Sequence, residues 1–177
     1  MNNISFKESQ QFRSRSFWIF LVIMIIFLTG LFGFGFVKQI ICGKPFGTKP
    51  APDHVLILLT LFIYLLCAGL VLLFYFAKLT ISIDKEGIRI RFVPFRNKAR
   101  LIPWDQIEKI FVREYDPIRE YGGFGYRFGF GRGVAYNVSG VWGIQIIMKN
   151  GKKILIGTQK QEALKEFLKK IKSRITL

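Results

Sequence analysis

Hydrophobic residues fall along this chain in two regimes. From Phe17 to Val37 and from Val55 to Ala77 they run without a single charge, over 21 and 23 residues. At about 1.5 Å per helical residue, either run covers the roughly 30 Å hydrocarbon core of a bilayer. After Ala77 the pattern alternates. Ile81 and Ile83 share one face, Asp84 to Gly87 supplies a turn, and Ile88, Ile90 and Phe92 alternate with Arg89 and Arg91, which predicts a β-hairpin with one buried face. Pro94 to Arg100 is read as the next turn and Leu101 to Pro103 as a short strand. The phase slips near Asp105, where a bulge or short turn is expected, and Ile107 to Tyr115 resumes with Ile110 and Val112 inward.

Residues 121–140 hold seven glycines and six aromatics, read as a glycine-bent hairpin with stacked rings. Val141 to Lys149 and Lys152 to Ile156 flank Asn150-Gly151, the strong two-residue hairpin signal. Thr158 and Gln161 have capping-box spacing, and Ala163, Leu164, Phe167, Leu168 and Ile171 line one face of a closing amphipathic helix. The expected fold is a membrane α-helical hairpin followed by a mainly β small barrel or sandwich closed by a C-terminal amphipathic helix. Its expected parts are a cytoplasmic tail (1–16), a first span (17–37), an external loop (38–54), a second span (55–77) and a cytoplasmic domain (78–177).

The order of two spans, strand hairpin, Ile102-Pro103-Trp104-Asp105-Gln106-Ile107 and terminal helix resembles the bacterial pleckstrin-homology-like membrane proteins. A narrower likeness rests on Tyr121-Gly122-Gly123-x-Gly125, Ala135-Tyr136-Asn137-Val138-Ser139-Gly140 and Ile154-Leu155-Ile156-Gly157-Thr158-Gln159. These are similar to an uncharacterised family of prokaryotic membrane-anchored proteins over most of residues 78–177. The chain departs from that pattern at Gln161, where a proline commonly precedes the helix glutamate. The resemblance implies a pleckstrin-homology-like architecture and carries almost no mechanism.

Charge adds a direction. The chain carries a net +16, and residues 78–177 hold 21 Lys and Arg against 9 Asp and Glu. Lys7, Arg13 and Arg15 precede the first run, and Lys78, Lys85, Arg89, Arg91 and Arg96 follow the second, against Lys38, Lys44 and Lys49 between them. The positive-inside rule then places both termini in the cytoplasm of a multi-pass plasma-membrane protein. The first run is longer than a cleavable signal core and lacks a small-residue cleavage pattern, so it reads as an anchor. Gly30, Gly33 and Gly35 permit close helix approach without a strict dimer motif.

Candidate chemistry is sparse. Cys42 and Cys67 lack metal or disulfide-scaffold spacing, and His54 stands without a partner set, so no nucleophile triad can be assembled. The glycines at 123, 125, 129, 131 and 133 are followed by no helix and lack the nucleotide-loop spacing. Glu114, Asp116 and Glu120 read as alternating surface charge beside Arg113 and Arg119. No cofactor, metal or nucleic-acid partner is expected. Strand parity brings Phe95, Arg96, Lys98 and Arg100 toward an anionic lipid surface, with Lys85, Arg89 and Arg91 as the alternative headgroup site. Phe124, Tyr126, Phe128 and Phe130 are the candidate protein contact. These residues lead to the expectation of a non-enzymatic membrane-anchored adaptor that binds protein partners or itself and leans on anionic lipid. The alternatives are a specific lipid-headgroup sensor and an accessory subunit of a membrane transporter or enzyme complex.

Overall fold

A computed structural model describes residues 5–172. Residues 1–4 of the expected tail and 173–177 of the expected domain lie outside the described residues. The chain divides into a helical unit, Arg13–Tyr75, and a β unit assembled from the residues up to Phe12 and those from Phe76 onward.

In the helical unit, α1 (Arg15–Phe36) runs into a π turn at Val37–Ile41, and α2 (Asp53–Phe76) returns. Both helices are long and apolar enough to cross a membrane; α1 with its π turn, Arg15–Ile41, overruns both ends of its charge-free run, whereas α2 starts before Val55 and stops at Phe76, just short of Ala77. Ser14 caps α1, its hydroxyl accepting from the Phe17 N–H at 3.5 Å. Two of the glycines of α1 have a steric reason: a Cβ on Gly33 would meet the Tyr64 hydroxyl, and one on Gly35 would meet the Phe46 ring. Gln39 ties the connecting loop. Its amide donates to the Ala51 carbonyl at 2.7 Å and to the Asp53 carboxylate at 2.8 Å, while its own oxygen accepts from the Phe46 N–H at 3.2 Å.

The β unit begins where a tail was expected. Residues Phe6–Gln11 form β1, which pairs antiparallel with β2 (Lys78–Ile83) over six register positions from Phe6↔Ile83 to Gln11↔Lys78. The reason is the alternation of β1: Phe6, Glu8 and Gln10 are buried while Lys7 and Ser9 are exposed. The two polar residues among them are satisfied. The Glu8 carboxylate accepts from the Thr158 hydroxyl at 2.6 Å and the Gln159 N–H at 2.7 Å, and the Gln10 amide donates to the Gly157 carbonyl at 2.7 Å. The entire helical hairpin is thus an insertion between two neighbouring strands.

β3 (Gly87–Val93) and β4 (Arg96–Pro103) complete an antiparallel sheet ordered β1-β2-β3-β4. The turn expected over Pro94 to Arg100 is only Pro94-Phe95, and Arg96 to Arg100 are strand. β4 is an edge, so it can leave charged residues on both faces exposed. A 3-10 turn, Trp104–Gln106, follows at the expected phase slip, with the Trp104 indole N–H donating to the Asp84 carbonyl at 2.9 Å.

The second sheet contains β5 (Ile107–Glu114), then a five-residue helix α3 (Pro117–Tyr121), β6 (Gly125–Gly129), β7 (Gly133–Asn137), β8 (Trp142–Met148) and β9 (Lys153–Gly157). Its order is β5-β8-β9-β7-β6, with β7 and β9 parallel. The hairpin at Asn150-Gly151 and the glycine-bent hairpin β6–β7 stand where the sequence places them. Leu79, Ile81, Ile83, Ile88, Ile90, Phe92 and Ile102 from the first sheet, and Tyr136, Ile144, Ile146, Ile154 and Ile156 from the second, are all 1% exposed or less. Two sheets that each present one such apolar face bury them against each other.

The chain closes with α4 (Gln161–Lys172), which buries Leu164, Phe167, Leu168 and Ile171. Phe167 packs on Phe6 with ring centroids 5.6 Å apart. The Thr158–Gln161 capping box does not form. The Thr158 hydroxyl donates to Glu8 at 2.6 Å, and its oxygen accepts from the Lys160 N–H at 3.0 Å rather than from an N–H inside α4.

Candidate functional site

Register decides which residues share an end of the first sheet. Gln11 pairs with Lys78, and Lys78 with Val93. The chain therefore leaves β1 and re-enters β2 at the same end at which Pro94-Phe95 joins β3 to β4. Phe95 stacks on Phe92 at 5.1 Å yet remains 45% exposed, and Arg96 and Lys98 beside it are exposed. Arg96 pairs with Phe92 and Arg100 with Ile90, so Asn97, Lys98 and Ala99 bulge opposite Arg91 alone. The structure brings Phe95, Arg96 and Lys98 to this end and sets half-buried Arg100 farther along β4.

Lys85 lies at the opposite end, in the exposed turn between β2 and β3. Arg89 is paired with both Asp84 and Glu86. Arg91 is exposed on the same face of β3 as Arg89. These three cations do not converge: the acidic turn takes up Arg89, which leaves Lys85 and Arg91 apart.

Along β6–β7, Phe128 is 71% exposed and Phe130 fully so, with Phe124 38% exposed before the hairpin. Tyr126 behaves differently. Its ring lies 5.2 Å from Phe128 and 5.0 Å from Tyr136, its register partner, which is completely buried. The Tyr136 hydroxyl is sealed from solvent and makes no hydrogen bond of normal geometry among the described residues. Burial pushes the Tyr126 hydroxyl pKa up, as does the neighbouring Tyr136, while the Arg96 and Arg100 cations pull it down.

On the other face of the second sheet, α3 clamps a second set of groups. Asp116 caps it, accepting from the Ile118 and Arg119 N–H groups at 2.9 and 3.0 Å, Pro117 opens it, and Gly122 ends it in the left-handed region. Glu120, read from sequence as surface charge, is drawn inward. It accepts from Arg113 at 2.7 and 3.1 Å and from the Asp116 N–H at 3.0 Å, and pairs with Arg132 at 3.2 Å. Arg113 also donates to Gln145 at 3.0 Å. The network pins α3 so that its Tyr121 packs in one buried cluster with Tyr115, Ala135 and Leu155. Outside it, a groove of about 670 Å³ is lined by Tyr115, Asp116, Ile118, Phe124 and Val141. Burial pushes the Tyr115 hydroxyl up to about 12.

The Arg113 hydrogen bond holds Glu120 below its ordinary value near 4.5. A depressed carboxylate stabilises the fold above its unfolded pKa, and that stability is lost as pH falls through the folded value. The thermal midpoint should therefore be steady above about pH 4.5 and drop on further acidification. Glu120→Gln should lower the midpoint at neutral pH and flatten its acid slope; an unchanged slope would remove Glu120 from the acid response. Among the described residues, no three His, Cys, Asp or Glu side chains converge as a metal site.

The hairpin insertion between β1 and β2 makes the N-terminal residues integral to the same architecture as the C-terminal domain, and one family model spans both, matching residues 2–175. The chain belongs to DUF6141, a family of unknown function. A search of curated proteins finds no match to it. Membership thus extends the similarity from the domain to nearly the whole chain, β1 included. Sequence reasoning missed Glu8 and Gln10 in β1, and also Tyr136. The signals available were the Phe6, Glu8, Gln10 alternation and the Asp116-Pro117 cap.

Proposed function

We propose that this DUF6141 member is a non-enzymatic, membrane-anchored adaptor. Its helical hairpin spans the plasma membrane, and its pleckstrin-homology-like β unit holds one sheet end against the anionic cytoplasmic leaflet. The observation that carries this reading is the shared register of Gln11, Lys78 and Val93, which places Phe95, Arg96 and Lys98 at the end where the chain departs for the two apolar helices. An exposed aromatic flanked by cations suits the interface of an anionic bilayer.

Topology supports the reading. Adjacent strands can pair only if they lie in one compartment, so a spanning hairpin between β1 and β2 needs both of its ends on the same side. The excess of Lys and Arg outside the hairpin favours the cytoplasm. The two sheets and closing helix support the pleckstrin-homology-like architecture, with Phe128 and Phe130 as the exposed surface for protein partners. Lys85 stands at the far end of β2, and at about 3.3 Å per residue that is roughly two Debye lengths from Lys78.

The test uses the full chain with Cys42→Ser, Cys67→Ala and Asn97→Cys, labelled with a polarity-sensitive dye in nanodiscs. Emission should shift blue in discs containing anionic lipid and revert with salt. Each basic residue near such a surface contributes about 1 kcal/mol, so Arg96→Gln with Lys98→Gln should weaken the anionic-lipid response by about 30-fold. Emission identical in neutral and anionic discs would sink the reading.

A further inference from the structure

The groove beside α3 carries the opposite sign to the chain as a whole. Of only 11 Asp and Glu set against 27 Lys and Arg, three line it, Glu114, Asp116 and Glu120, and no Lys or Arg lines it among the described residues. Arg113 and Arg132 answer Glu120, and the exposed Arg119 reaches Asp116 at 3.6 Å. Glu114 is exposed and forms no ion pair among the described residues. Beside these carboxylates the lining is apolar, with Ile118, Phe124 and Val141 all open to solvent. Such a hollow suits an apolar side chain that arrives next to a cation.

The β6–β7 hairpin presents that combination. Phe130 stands wholly exposed in its turn, between Gly129 and Gly131, which have no side chains to cover the ring. Residues 121–141 include Arg127 and Arg132 and no Asp or Glu. Arg132 is held by Glu120, whereas Arg127 is exposed and forms no ion pair among the described residues; its Nε donates to the Phe124 carbonyl at 2.9 Å. The hairpin also lies against the wall of the groove: a Cβ on Gly129 would meet the Glu120 carbonyl and the Tyr121 ring. A knob and a hollow side by side on one surface are self-complementary, because a two-fold axis between two copies can seat each knob in the other's hollow.

We infer that the occupant of the groove is a second copy of this chain. In the two-fold dimer, Phe130 of each copy enters the groove of the other, and Arg127 meets the other copy's unpaired Glu114. An aromatic ring buries about 150–250 Å². Two rings and the groove walls they cover therefore remove roughly 600–1,000 Å² from water, below the size of a standard stable interface. Confining both copies to one membrane raises their effective concentration and lets so small a patch suffice. The inference rests on the proposed membrane anchoring and on Phe130 as a protein contact, and it names the partner.

The experiment places p-benzoylphenylalanine at position 130 of the full chain, which keeps an aromatic ring there, and mixes it with nitrogen-15-labelled chain in neutral phosphatidylcholine vesicles. Irradiation should yield a crosslinked dimer, with the attachment on residues 114–124 or 140–141 of the labelled chain by mass spectrometry. Attachment within a single chain, to lipid alone or elsewhere on the labelled chain overturns the dimer. Glu114→Arg in both chains should reduce the yield at least about tenfold, and so should Arg127→Glu, since each change sets like charges together. Combining the two should restore the yield, which a misfolded chain could not do; failure to restore it overturns the docking. Neutral vesicles keep anionic lipid out of the result. If the Asn97 dye still responds to anionic discs while no dimer forms, the membrane-facing reading stands and the dimer falls.

Discussion

Expressing residues 78–177 without the N-terminal strand should give an aggregated or unfolded product, whereas residues 1–12 joined to 77–177 through an Asn-Gly turn should fold as a soluble monomer. β1 appears dispensable only if it is counted as a tail. It closes the open edge of β2 over six register positions and buries Phe6 and Phe12. Two such rings contribute about 1.5–3 kcal/mol each. Losing the strand also strips the acceptor from the buried Thr158 hydroxyl, at about 1–3 kcal/mol for a group left buried and unsatisfied, and releases the Gln159 N–H to water. Together these approach the whole stability of a small domain, about 5–15 kcal/mol. The joined version removes only the insertion, because Gln11 already faces Lys78 and a two-residue turn suits that spacing. Dispersion of amide proton resonances and size-exclusion elution decide the matter. A well-dispersed spectrum from residues 78–177 alone would show that β1 is not required.

The second large effect is expected at Gly133. Its φ of +83° lies in the left-handed region, and a Cβ there would overlap the Lys153 carbonyl of β9. Either problem alone costs about 1–3 kcal/mol. Here the overlap also falls at the start of the short parallel pairing of β7 with β9, only three register positions long, which holds Tyr136 against Ile156. Gly133→Ala should destabilise the β unit by about 3–5 kcal/mol, a fall in thermal midpoint of more than about 12 °C. Gly131 is the control: its φ is +67°, but a Cβ there meets nothing. Gly131→Ala should cost about 1–2 kcal/mol, the conformational strain alone. Equal losses from both changes would mean that close approach to β9 is not what requires glycine at 133.

What could be read in advance follows from how local each signal is. The β2–β3 hairpin, the Asn150-Gly151 turn and the α4 stripe each announce themselves within about a dozen residues, by alternation, turn chemistry or helical period. β1 does not, because its inward face includes Glu8 and Gln10, whose burial is compensated by Gly157, Thr158 and Gln159 at the other end of the chain. α3 spans too few residues for any periodicity, though its cap residues were visible. Charges at 96, 98 and 100 resemble a solvated turn, and only the pairing with β3 reveals an edge strand with a bulge. Phe95 and Arg96 were legible as a pair at one sheet end.

The bond between Glu8 and Thr158, 150 residues apart, also sets a schedule for synthesis. The first strand leaves the ribosome before either apolar helix exists, yet its carboxylate finds its partners only when Thr158 and Gln159 have been made. At about 5–20 residues per second, the wait is on the order of 8–30 seconds. Every nascent chain interrupted before that point carries its helices without a completed β unit, and exposes Phe6 and the edge of β1 as surfaces for chaperones or proteases. In this molecule, the N-terminal strand stays unsealed until Thr158 and Gln159 have been made.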